Sequence, residues 1–164
     1  RAYIMREMNE LFGNDVNTRV NNNEVLESDR TEKYACEKIE NTLDIKMPRF
    51  FYLPDKLEYQ AYTLDEEAGA GILQYSYDEQ IIFLTAFLNE NKASVLNQND
   101  NGVLIETFQN DFIPELKITL WKIEEKEDKT PIYALRWEYK NSYYEFFGGI
   151  QEKEMENIAK NIMY

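Results

Sequence analysis

The chain contains no histidine, and that absence removes most familiar side-chain chemistry. Serine–histidine and cysteine–histidine nucleophile pairs need an imidazole to take the proton, and zinc loses one of its usual ligand types. The single cysteine, Cys36, excludes an internal disulfide and any multi-cysteine metal site. It lies in a predicted helix and reads as a buried free thiol, with a reactive thiol or an intermolecular partner as the other readings. Acid–base work is left to carboxylates, tyrosines and lysines. Carboxylates are plentiful, but their grouping is unspecific. Asp65, Glu66 and Glu67 form a charged bend that could help hold a cation, a solvated turn being the plainer reading. Glu152, Glu154 and Glu156 fall on or near the exposed side of a predicted helix, where Glu152 complements the positive end of the helix dipole. A carboxylate pair of the glycosidase kind, whose members are often far apart in sequence, stays open as an alternative, and no spacing points to one.

Two local motifs imitate ligand sites. Asn97, Asn99, Asn101 and Gly102 follow the alternation that opens a calcium loop. The first position lacks Asp, however, and Phe108 stands where the bidentate Glu belongs. Asn101-Gly102 is a hairpin-turn signal in its own right, so the cluster reads as a turn. Gly69 and Gly71 precede a predicted strand rather than opening a helix, which is the wrong context for a phosphate cradle. Tyr52, Tyr59, Tyr62, Tyr75, Tyr77, Tyr133, Tyr139, Tyr143 and Tyr144 have two readings: a ligand groove, or the finish of a partly covered sheet, the second being preferred. No catalytic, cofactor-binding or metal-ligating residue is therefore assigned, and no cofactor is expected.

The elements that would have to position any site are legible in more detail. At 164 residues, 43% of them hydrophobic, the chain suits one domain with a sizeable core. The formal net charge of −13 repels nucleic acid and anionic lipid, so neither is an expected partner. A helix is predicted over 1–12, and a polar loop over 17–23. A second helix is predicted from Asp29, where Asp29 and Glu32 have capping-box spacing, with Ala35, Cys36, Ile39 and Leu43 inward and Pro48 as its stop. Strands are predicted at 50–53, at 57–64 around Leu57, Tyr59 and Ala61, at 70–77, and at 80–88. The last of these is apolar on both faces, as a central strand is. Strands at 103–109 and 116–124 follow, the second with Leu116, Ile118 and Leu120 inward, and 124–129 is a charged loop.

The densest aromatic stretch, 133–164, reads as strand, turn, strand, glycine pair and amphipathic helix. With Lys140 and Asn141 as the turn, Leu135 faces Phe146, Trp137 faces Tyr144, and Arg136 faces Glu145. Large side chains then share one face and an opposite-charge pair occupies the other, as cross-strand pairing favours. From Gln151 a helix presents Met155, Ile158, Ala159 and Ile162, a stripe that must be buried against the hairpin. Short polar turns between successive strands favour antiparallel pairing over βαβ units. The expected fold is α+β: an antiparallel sheet of about six to eight strands with helices on one face, the C-terminal helix covering the last hairpin.

Two segments carry a resemblance. One is 47–55, with Pro48, Tyr52, Leu53 and Pro54; the other is the run Leu135, Arg136, Trp137 … Tyr143, Tyr144, Glu145, Phe146, Phe147, Gly148 with the helix after it. Together they resemble family 4367 of the domains of unknown function, over about residues 46–164. The resemblance implies an extracytoplasmic domain of Gram-positive membrane-anchored proteins, and it carries no catalytic residues to transfer. It divides the chain into a helical extension and loop at 1–45 and an α+β domain at 46–164. The expected function is non-enzymatic: sensing or protein interaction outside the membrane. The alternatives are a small-ligand or peptide binding domain using an aromatic groove and, last, a carboxylate-based hydrolase. No apolar run is long enough to cross a bilayer. The chain begins at Arg1, so a hydrophobic segment of about 20 residues, preceded by basic ones, is expected upstream as the anchor, with 14–28 as a tether.

Overall fold

The computed structural model describes residues 31–88, 102–123 and 131–164. The expected helix at 1–12, the loop at 17–23, the asparagine cluster before Gly102 and the loop at 124–129 lie outside them. Among the described residues, two helices and nine strands follow one another as α1 (Glu32–Leu43), β1 (Arg49–Phe50), β2 (Glu58–Asp65), β3 (Ala70–Tyr77), β4 (Gln80–Leu88), β5 (Gly102–Gln109), β6 (Lys117–Ile123), β7 (Ile132–Tyr139), β8 (Ser142–Gly148), α2 (Glu152–Lys160) and β9 (Ile162–Met163). Seven strands form one antiparallel sheet in the order β2-β3-β4-β8-β7-β6-β5, and β1 pairs with β9 in a small second sheet.

The last hairpin has the register that its turn dictates: Leu135 opposite Phe146, Arg136 opposite Glu145, Trp137 opposite Tyr144. Trp137 stacks on Tyr144 with ring centroids 5.7 Å apart, and its indole N–H donates to the Tyr164 hydroxyl at 2.8 Å. The Tyr144 hydroxyl donates to the Lys46 carbonyl. Both aromatic rings are thus buried with their polar handles satisfied, which is the condition for burying Trp and Tyr without loss. Met155, Ile158, Ala159 and Ile162 are all buried. The helix that carries the first three rests on β7 and continues over β6 and β5.

α1 lies in the same layer, over β2 and β3, and buries Ala35, Cys36, Ile39 and Leu43 as its spacing requires. Its ends differ from the expectation. The N-cap is Thr31, whose side chain accepts from the Tyr34 amide at 3.1 Å, not Asp29. The stop is Asp44 in the left-handed conformation at φ 54°, four residues ahead of Pro48. Gly71 lets the helix come close: a Cβ there would stand 2.7 Å from Cγ2 of Ile39.

Two strands also depart from simple alternation. In β2 the register shifts between Tyr59 and Ala61. This moves Tyr62 and Leu64 onto the core side in place of Ala61, since one extra residue inverts every side chain beyond it. The apolar run 50–53 supplies only Phe50 to a strand, the two-residue β1, and Phe51 is exposed. β4, apolar on both faces, sits inside the sheet between β3 and β8.

Candidate interaction surface

The carboxylates singled out in the sequence are dispersed. Asp65 is buried in the β2–β3 turn, where it accepts from the Ala68 amide at 3.0 Å. Glu154 accepts from the Tyr52 hydroxyl at 2.6 Å, and that bond raises the Tyr52 pKa above its ordinary value. Glu156 lies between Lys160 and Lys153 at 2.9 and 3.2 Å, whose hydrogen bonds lower its pKa. Among the described residues, no three Cys, Asp or Glu side chains gather as a metal site would require. Cys36 is buried, and desolvation pushes its thiol up to about 11.

The tyrosines mostly finish the core. Tyr62, Tyr75, Tyr77, Tyr133, Tyr143 and Tyr144 are buried, and desolvation is the first cause of the raised pKa of Tyr59, Tyr75, Tyr143 and Tyr144. Tyr75 donates to Glu32 at 2.6 Å. The Tyr59 hydroxyl is buried and has no hydrogen-bond partner among the described residues.

On the face of the sheet away from the helices, a polar row runs across four strands: Thr85, Glu145, Arg136 and Thr119 in register. Arg136 Nε meets Glu145 Oε2 at 2.8 Å with both side chains buried, and the guanidinium carbon lies 5.1 Å from the centre of the Trp121 ring. The opposite-charge pair read from the hairpin register is therefore inside the protein. Burying two ions is costly, and their attraction offsets that cost only with close contact and further polar partners. To one side of this row opens a cleft of about 360 Å³ lined by Glu115, Lys117, Thr119, Arg136, Glu138 and Tyr143.

The third region is the margin formed by β5. Among the described residues this strand is paired on one side only, with β6. The large apolar side chains exposed among the described residues are Phe51, Val103, Leu104, Ile105 and Phe112. Three belong to β5 and Phe112 to the loop directly after it. Phe51 joins them by packing on Phe112, with ring centroids 5.6 Å apart. Ile105 occupies a bulge between Leu104 and Glu106.

That loop is held by Asn110, which sequence reading passed over. Its side chain is buried and makes four hydrogen bonds. Nδ2 donates to the carbonyls of Ala159 and Ile162 at 3.0 and 2.9 Å, and Oδ1 accepts from the amides of Phe112 and Ile113 at 2.9 and 2.8 Å. Asparagine suits this because it offers two donors and two acceptor lone pairs from one planar group. The C-terminal end of α2 and the loop that presents Phe112 are thus fixed to each other. The only sequence signal was an Asn directly after an apolar–polar strand, a pattern shared with any turn.

No match is found among curated proteins or among solved structures. One family model, that of a domain of unknown function (DUF4367), matches residues 47–162. These residues hold, among the described elements, β1 to β8, α2, the first residue of β9 and the loop fixed by Asn110, and they begin just after α1. The chain belongs to the DUF4367 family.

Proposed function

We propose that this chain is a non-enzymatic protein-interaction module, the extracytoplasmic part of a bacterial membrane protein anchored by a segment N-terminal to it. One observation carries the interaction reading: the exposed large apolar side chains of the described residues lie along one strand and the loop after it, Val103, Leu104 and Ile105 near the start of β5 and Phe112, with Phe51 packed on it, beyond its end. Scattered single hydrophobics are ordinary on a protein surface, whereas a grouped set marks a contact region. The non-enzymatic part is supported by the engagement of Glu145, Glu154 and Glu156 in structural bonds. The location rests on the resemblance described above.

The test is photo-crosslinking in cells that make the complete protein. A photoreactive side chain replaces Phe112 in one variant and Gln60, an exposed residue of β2, in another. A defined protein adduct is expected from position 112 and not from position 60. Equal adducts from both, or none from either, would remove the interaction reading. Protease added outside intact cells should degrade the domain, and protection would place it on the other side of the membrane.

A small-ligand reading has a specific observation of its own, the cleft beside Arg136. Its lining mixes Lys117 with Glu115 and Glu138 beside Trp137 and Tyr143, so a ligand there would meet charges of both signs next to aromatic surface. A metabolite screen for rises in melting temperature tests it, because a ligand that binds only the folded state must raise that temperature.

A further inference from the structure

We infer that the β5 margin takes an extended, basic segment of another protein as an added strand, an inference that rests on the interaction reading above. The backbone groups on the outer edge of β5 have no partner among the described residues. Such an edge is a template for one more strand, and natural proteins usually blunt it with lysine, proline or a cover. β5 carries no lysine and no proline, and its bulge, a further device of this kind, leaves Ile105 exposed. Val103, Leu104 and Ile105 are exposed instead, at 54%, 48% and 39%. Main-chain hydrogen bonds would supply affinity for any extended chain, and the side chains beside the edge would set selectivity.

The character of the partner follows from charge. The charged residues of β5 and the loop after it are Glu106, Asp111 and Glu115; the lysines nearby belong to other elements, Lys122 and Lys117 on β6 opposite Val103 and Gln109 and Lys160 at the end of α2. All three carboxylates are exposed, and the whole chain has a net charge of −13. A second copy would bring the same carboxylates and the same charge to the contact, so self-pairing is opposed by repulsion. A strand alternating apolar and basic residues would lay its apolar side on Leu104 and Ile105 and its cations near the carboxylates. Phe51 and Phe112, one loop further on, would receive a bulky apolar or cationic residue beyond the end of the strand.

The experiment uses the whole chain and three synthetic ten-residue peptides: alternating Val and Lys, alternating Val and Glu, and the Val–Lys peptide N-methylated at every second residue. N-methylation keeps the charge and removes the amide donors along one edge. Binding is followed by anisotropy of labelled peptide, and the site is located by hydrogen exchange. The Val–Lys peptide should bind and slow exchange in β5, with the other two at least tenfold weaker. Ile105→Lys should weaken Val–Lys binding at least tenfold while leaving the melting temperature within a degree or two, since Ile105 is exposed and outside the β5–β6 register. If that variant unfolds, Leu104→Lys takes its place. Equal binding of the methylated peptide, protection away from β5, or no binding by Val–Lys would each overturn the inference. So would a dimer through β5 in sedimentation of the chain alone. Crosslinks at position 112 that persist while the peptides fail would remove strand addition and leave the interaction reading standing.

Discussion

The two margins of the large sheet finish their apolar side chains differently. At the β2 margin a helix lies over the strands, Gly71 admits Ile39 at close range, and Tyr62, Leu64 and Asp65 all have interaction partners. At the β5 margin α2 likewise reaches the strand, and β5, like β2, is paired on one side, but Val103, Leu104 and Ile105 are exposed. Both strands carry a bulge, so the bulge alone does not decide how an edge is finished. The β2 bulge turns Tyr62 and Leu64 into the core; the β5 bulge leaves Ile105 outside.

Alkaline titration should separate the margins most strongly. Burial raises the pKa of Cys36 to about 11 and raises that of Tyr59 and Tyr75, all beside α1, β2 and β3. Residues 102–123 contain no Tyr or Cys. A group whose folded pKa lies above its unfolded value favours the folded state below the unfolded pKa, and that contribution is lost as pH rises through the folded one. Stability should therefore fall above pH 9, the ordinary value for the thiol, with hydrogen exchange accelerating in β2 and β3 before β5 and β6. Simultaneous opening of both margins would show that they form one cooperative unit.

Asn110→Ala should cost about 2–3 kcal/mol, the scale of leaving buried polar groups unpaired. The loss should be accompanied by faster exchange at the end of α2 and in the loop at 110–116. A cost below about 0.5 kcal/mol in denaturant titration, the range of ordinary surface changes, would mean that the β5 margin does not depend on this anchor.

Gly71→Ala should destabilise by about 1–3 kcal/mol through overpacking against Ile39. The double variant with Ile39→Ala should lose less than the sum of the two singles, because the residues are in contact. Strict additivity would show that the helix simply moves away.

Leu104→Ser should change stability by less than about 0.5 kcal/mol, as surface substitutions do, while weakening the Val–Lys peptide. A loss above 1 kcal/mol, as removal of a buried aliphatic would give, would show that the β5 margin is covered after all and would erase the contrast.

What could be read beforehand depended on how local the determining contacts are. The 140–141 turn alone sets the register of β7 and β8, and periodicity alone picks out Ala35, Cys36, Ile39 and Leu43. The β2 bulge was hidden because Leu57, Tyr59 and Ala61 are as good an alternation as the real one until β3 selects a partner for each residue. The helix ends were misplaced because Asp29 and Thr31 are both competent caps, and Asp44 in the left-handed region leaves little sequence trace. The apolar run 50–53 has the look of a strand, yet only Phe50 of it finds a ladder partner, Ile162 of β9. The β5 margin was unreadable for a simpler reason: whether an apolar residue is exposed depends on what lies opposite, and strand order comes from contacts between distant segments.

That strand order also bears on how the chain folds. β2, β3 and β4 follow one another as neighbours, as do β5, β6, β7 and β8; within the large sheet only β4 with β8 joins strands far apart in sequence. Each run can form by short-range hairpin closure, on the order of microseconds for a hairpin. Joining β4 to β8 must first close the long connection between them, and non-local pairing of this kind is what slows sheet proteins. The seam where Leu84 meets Phe146 and Phe83 meets Phe147 is therefore expected to set the rate of folding. Substitutions there should act on folding, and those on either outer strand should act mainly on unfolding.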